Sequence, residues 1–353
     1  MLEYLSEPLP FSNDHYPSFS IGSKLCKASD LTRLTQPPLV ALITEGEDLE
    51  PYQNFRKSLY QLQAPFDFGF FVDLGGCKGG MVGITETVDF LKQRDILPVV
   101  VGKSEEIPLS LLRACSTDPF PVQLTLANAR IDYPWNSKEK PNPLQQMMEF
   151  YPQFLERIHF MGFQSYFVDP LVLDFFKEKY FDCYRLGWMK SQIQESEPIL
   201  RDSDILGLSM NALCFADAPA ATAANPNGFS AAEACQIARY AAMSDRMKMI
   251  GICDYDPSLD QRNISAQLVA QMIWFVFQGI QQRKNEFPPD MSCMQRFDIS
   301  TQPISFYRSN KSDRWWFSLE GRSRNLISCS YEDYKKTCEG DLPERILMVI
   351  DRM

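Results

Sequence analysis

Short apolar runs recur along the chain, separated by stretches with helical spacing. Runs at 39–44 (LVALIT), 68–72 (FGFFV), 97–101 (LPVVV), 122–127 (VQLTLA), 157–161, 181–186, 205–210 (ILGLSM) and 248–253 (KMIGIC) predict eight strands. Several are apolar at consecutive positions, so both strand faces need cover, as in a parallel sheet between helical layers. Ser230-Ala-Ala-Glu233 has capping-box spacing and opens an Ala-rich helix to about Ser244, with Ala234, Ile237, Ala238 and Ala241 on one face. Residues 264–283 predict a second helix, apolar nearly all round and therefore buried.

Strands alternating with helices predict one doubly wound α/β domain with an eight-stranded, mainly parallel sheet. It is expected to span residues 1–285, including an irregular segment 1–35 without periodicity. Pro288-Pro289 ends the helical pattern, and ISFYRSNKSDRWWFSLEG then reads as a hairpin turning at Asn310–Asp313. Residues 286–353 are therefore expected to form a C-terminal extension packed on the main domain, with Trp315 and Trp316 as packing residues.

Composition narrows the function classes. Of 353 residues, 45% are hydrophobic and 23% charged, and 35 basic against 45 acidic side chains leave a net charge of −10. That balance argues against non-specific binding to nucleic acid or anionic membranes. No run reaches the roughly 18–20 apolar residues of a membrane span. The start, MLEYLSEPLPFSNDHYP, lacks the basic and apolar regions of a signal peptide. Ten cysteines occur without a C-x-x-C pair, which points to reduced thiols and a cytoplasmic setting. Only two histidines are present, His15 and His159.

In an open parallel sheet, ligands bind beyond the carboxyl ends of the strands. Four polar clusters fall there: Gly102-Lys103-Ser104-Glu105-Glu106, Asn128-Ala129-Arg130-Ile131-Asp132, Ser209-Met210-Asn211 with Asp217-Ala218-Pro219 beyond it, and Asp254-Tyr255-Asp256-Pro257. Strand alternation places Asn128 with Arg130, and Ser209 with Asn211, on common faces. Polar strand ends also simply meet solvent, so these residues alone leave the two readings even. Gly75-Gly76 and Gly79-Gly80 follow a strand without the spacing of a phosphate loop. Ser209 has no histidine near it in the pattern to act as its base.

The order of these clusters resembles the arginase, or ureohydrolase, family, which includes agmatinase and formimidoylglutamase. The resemblance covers roughly residues 38–283. Val72-Asp73-Leu74-Gly75 opens it, and LPVVVGKSEEI stands where the family has a strand leading into GGDHS. LANARID matches DAHxD, LSMNALCFADAPAATAANPNGFS matches DxDxxDP with its following loop, and CDYDPSLD matches ExNP. The resemblance implies a three-layer arginase-like fold, hydrolysis of guanidino or formimino groups at two bridged manganese ions, and a trimeric or hexameric assembly. The formimidoylglutamase branch is the most similar in texture.

The residues at the implied ligand positions differ from the family's. Glu105 stands for the first His, Asn128 for the first Asp, Arg130 for the second His, and Ser209 and Asn211 for the last two Asp; Asp132 alone is retained. Asp254 stands for the substrate-contacting Glu. Manganese needs anionic oxygen or neutral imidazole, and a cationic Arg at a ligand position repels it. The resemblance with these departures predicts no manganese cofactor, no catalytic residues, and a pseudoenzyme that binds a small molecule or protein partner, with Lys103, Glu105, Arg130, Asp132 and Asp254 as ligand contacts. Nucleic acid and membrane are not expected partners; a homo-oligomer is. The alternative is an amidine hydrolase with an altered or single-metal site, using Glu105, Glu106, Asp132, Asp254 and Asp256. Arg130 is further expected to be a buried internal cation replacing the metal, paired with Asp132, Glu105 or Asp254.

Overall fold

The computed structural model describes residues 4–6, 16–26, 39–64, 71–133, 141–299, 302–319 and 326–351. All eight expected strands are present: β3 (Val40–Glu45), β4 (Phe71–Cys77), β5 (Leu97–Val101), β6 (Val122–Ala127), β7 (Leu155–Phe163), β8 (Asp182–Arg185), β9 (Ile205–Ser209) and β10 (Met249–Cys253). Residues 68–70 of the second run lie outside the described residues. Two-residue strands β1 (Leu5–Ser6) and β2 (Leu25–Cys26) both pair with β4, making ten strands in this sheet among the described residues. They are too short to leave a periodic signal, and the sequence reading found no element there.

The sheet order is β1-β4-β3-β5-β10-β9-β6-β7-β8. Pairing is parallel throughout except for β1 on β4. Strand alternation splits the apolar residues into two cores. Val40, Leu42, Val99, Leu208 and Ile252 pack with Phe55, Leu59, Ile237 and Val269 on one face. Ala41, Ile43, Val100, Leu124 and Met249 pack with Ile84, Val88, Ile107 and Leu111 on the other. Helices therefore cover both faces, giving three layers. Each large aliphatic side chain so enclosed contributes about 1.5–3 kcal/mol.

Ser230 caps the helix Ala231–Met243, accepting from Glu233 N while the Glu233 carboxylate accepts from Ser230 N. The helix Ile264–Gln281 is buried along most of its length, as its apolar composition predicts.

Beyond this sheet, β11 (Met294–Asp298), β12 (Ile304–Ser309), β13 (Trp315–Leu319) and β14 (Ile327–Cys329) form a separate antiparallel sheet. The expected hairpin is β12–β13, with Phe306 opposite Phe317. Trp315 and Trp316 are buried, as packing residues should be. Arg201, the last residue of the helix Ser196–Arg201, holds the antiparallel sheet: Nη1 donates to Trp315 O at 2.8 Å, Nη2 to Cys329 O at 3.1 Å, and the guanidinium lies 4.6 Å from the Trp316 ring centre.

Candidate functional site

Four strands adjacent in the sheet, β5, β10, β9 and β6, deliver the predicted residues to one place. Their carboxyl ends open into a cleft lined by Glu105, Asn128, Arg130, Asp132, Ser209 and Asp254. Its empty space is about 600 Å³, part of it open to solvent.

After β5 the loop turns over the Glu45 carboxylate, whose Oε2 accepts from Lys103 N and Ser104 N, both at 2.8 Å. Gly102 permits this approach, since a Cβ there would lie 2.5 Å from Glu45 Oε2. The turn sends Lys103 outward. Its ammonium is exposed and pairs with Asp256 at 2.8 Å, so it is not among the cleft-lining side chains. That bond and the charge of Asp256 raise the pKa of Lys103.

At the end of β6, Asn128 Oδ1 accepts from Arg130 N at 3.3 Å, and Asn142 Nδ2 donates to Asp132 O at 2.7 Å. Arg130 lines the cleft, but its guanidinium lies over the Phe167 ring at 4.4 Å and the residue is exposed. The expected buried pairing of Arg130 with a carboxylate is therefore corrected. Beyond the strand, solvation and an aromatic face meet the needs of a guanidinium at less cost than burial.

Ser209 is 2% exposed and donates from Oγ to Asp254 Oδ2 at 2.5 Å. Thr222 Oγ1 donates to Asp254 Oδ1 at 3.2 Å, and Cys253 Sγ to Oδ2 at 3.6 Å. Asp254 itself has φ of 60°, a left-handed turn that lets its carbonyl accept from Thr222 N at 3.0 Å. Asn211 does not share the cleft with Ser209. The chain leaves β9 in a 3-10 turn at Met210–Ala212, so strand alternation stops and Asn211 faces the next loop. There its Oδ1 accepts from Ala223 N at 2.7 Å, and its Nδ2 donates to Thr222 Oγ1 at 3.2 Å.

The three cleft carboxyls all sit above their ordinary pKa. Desolvation is the first cause for each. The charges of Asp254 and Asp132 add to it for Glu105, whereas Arg130 opposes it for Asp132. For Asp254 the bonds from Ser209, Thr222 and Cys253 oppose it.

Sequence reasoning missed Glu45, Thr222 and Asn142. None belongs to the four clusters: Glu45 ends β3, the neighbour of β5, Thr222 lies in the loop after β9, and Asn142 caps the helix Pro143–Phe150. It also missed the inner wall, where Pro108, Leu126, Leu144, Met147 and Phe160 line the cleft. His159 does not line the cleft; it is buried between Asp182 (Nδ1 to Oδ2, 2.8 Å) and Gln123 (Nε2 to Oε1, 3.3 Å). Asp217 accepts from Ala231 N at 2.8 Å and so braces a helix start.

The donor set does not suit manganese. Of the positions around the cleft, Asn128 offers a neutral amide, Arg130 a cation, and the Ser209 hydroxyl is committed to Asp254. Among the described residues no three His, Cys, Asp or Glu side chains converge closely enough to hold a metal ion.

Comparison of the sequence with protein-family models and with curated proteins finds no match. Comparison with solved structures does. The formimidoylglutamase of Bacillus subtilis superposes with a TM-score of 0.60 at 18% identity, over 70% of this chain and 89% of that one. A manganese-bound formiminoglutamase of Trypanosoma cruzi gives 0.61 at 15%, over 70% and 95%. The agmatine ureohydrolase of Thermoplasma volcanium gives 0.57 at 14%, over 72% and 98%. These superpositions show that the chain has an arginase-like fold.

Proposed function

We propose that this protein is a pseudoenzyme of arginase-like fold, without a dinuclear manganese centre, that works by binding a ligand in the cleft at the carboxyl ends of β5, β10, β9 and β6. The observation that supports this most is the donor chemistry around the cleft. Amide, guanidinium and a hydroxyl already bonded to Asp254 stand where two manganese ions would need carboxylates and imidazoles. The proposal includes a cytoplasmic location and assembly as a homo-oligomer.

Elemental analysis of the purified protein tests it. The expected result is no stoichiometric manganese, and no hydrolysis of arginine, agmatine or formimidoylglutamate after manganese loading. Close to two manganese ions per chain, or turnover that rises with added manganese, overturns the reading. In that case the alternative gains: an altered amidine hydrolase in which Glu105, Asp132 and Asp254, all with raised pKa values, carry acid–base work.

A further inference from the structure

The outer strand of a sheet presents backbone N–H and C=O groups that its own sheet does not pair. In the parallel sheet the edge strands β1 and β8 have two and four residues, and the pairing of β8 with β7 shifts register between Met161 and Phe163. In the antiparallel sheet β14 has three residues. Shortness and irregular pairing guard such edges. β11 has neither: its five residues, Met294–Asp298, pair with β12 without a break and contain no proline. Among the described residues no strand lies on its other side.

The ladder fixes which residues face outward. Asn310 N donates to Cys293 O at 3.1 Å and Ile299 N to Ile304 O at 3.2 Å, both in the register of β11 on β12. Bonds in an antiparallel pair recur at every second residue, so Gln295 and Phe297 also bond inward. The backbone groups of Arg296 and Asp298 therefore point to the open edge. Their side chains share one face, 60% and 63% exposed, with Arg296 Nε 2.7 Å from Asp298 Oδ1. Phe297 lies on the other face, half-buried, its ring 5.2 Å from Trp315 and 5.6 Å from Tyr334.

We infer that two copies of this chain pair along β11, strand against antiparallel strand, about a twofold axis at Phe297. That register sets Arg296 opposite the partner's Asp298, and the twofold axis repeats the contact. Both residues face outward, so each such pair exchanges two backbone hydrogen bonds. Opposite charges meet across the seam. Phe297 meets the partner's Phe297 at a non-hydrogen-bonded position, where side chains approach most closely. An axis at Arg296 or Asp298 would also match outward groups, but it sets like charges opposite each other, which is destabilising. Charged residues on an edge strand usually keep chains apart; here the alternation of signs is self-complementary. This gives the homo-oligomer proposed above a surface and rests on nothing in the cleft.

Sedimentation equilibrium of the full chain over the micromolar range tests the inference, alongside Arg296→Pro, Arg296→Asp and Asp298→Arg. The parent should self-associate as its concentration rises. Arg296→Pro removes an outward N–H and no bond to β12, so the variant should fold, and its association should weaken about tenfold or more. Arg296→Asp and Asp298→Arg each set like charges across the seam and should weaken association as much. An equimolar mixture of those two should restore it, because aspartates then face arginines. A mixture no tighter than either variant alone overturns the inference. A chain monomeric at every concentration overturns it together with the homo-oligomer. An oligomer that all three variants leave intact overturns this surface alone. Manganese content decides the cleft reading separately.

Discussion

Ser209 ends β9, Asp254 follows the end of β10, and the serine Oγ donates to the aspartate Oδ2 at 2.5 Å across the two neighbouring strands. Asp254 is 5% exposed, so this bond is part of what allows a carboxylate to remain there. Ser209→Ala should cost about 1–3 kcal/mol at neutral pH. The lost donor stabilised the charged form, so its loss raises the Asp254 pKa further. The deficit should therefore be largest at neutral pH and shrink as pH falls through the carboxyl range. Urea denaturation midpoints at two pH values measure it; an equal deficit at both would count against the assignment.

Glu105 and Asp132 are held above their ordinary values of 4.5 and 3.8. The native state then binds more protons than the unfolded chain in that window, so stability falls as pH rises through it. Glu105→Gln with Asp132→Asn removes this contribution. The variant should lose less stability than the parent between about pH 4 and 6. Thermal midpoints recorded across that range should converge at the acid end.

Among the described residues, the most deeply buried ion pair lies outside the cleft. Arg56 reaches Asp73 through Nε at 2.7 Å and Nη2 at 3.2 Å, and the Asp73 carboxylate also accepts from Gly75 N and the Tyr60 hydroxyl. Arg56→Ala leaves that aspartate buried without its cation and should cost about 3–5 kcal/mol. Asp73→Asn on the same background should recover part of the loss, which chemical denaturation of the double variant would show.

Arg130→Ala should behave in the opposite way. The side chain is exposed and its guanidinium lies over the Phe167 ring at 4.4 Å, an interaction of about 0.5–1 kcal/mol. A shift in the denaturation midpoint equivalent to about 3 kcal/mol would restore the idea of a buried internal cation.

Arg201→Ala should loosen the antiparallel sheet from the parallel one. It removes the bonds to Trp315 O and Cys329 O and the contact with Trp316, and leaves Glu197 with Arg314 alone. Faster amide exchange confined to residues 294–329 is the expected signature. Uniform acceleration across both sheets would show that the two do not separate.

Much of the fold was legible before any coordinates. Apolar runs such as LVALIT and ILGLSM mark strands because burial on both faces admits few polar residues, and this holds wherever the strand sits in the sheet. The Ser230–Glu233 box fixes a helix start because its two hydrogen bonds close within one turn. The strand-end clusters indicated where a site would form, and Glu105, Asn128, Arg130, Asp132, Ser209 and Asp254 do meet there. What the sequence could not determine lies just past the strands. Asn211 shares a two-residue spacing with Ser209, yet a 3-10 turn sends it to Ala223. Arg130 chose Phe167 over a carboxylate, and Thr222 and Glu45 reached the site although nothing in their own stretches marked them as site residues. Local pattern determines which residues form an element and which face is covered. The direction of a side chain beyond the last ladder bond depends on competing partners brought near by the rest of the chain, and only the tertiary structure settles that competition.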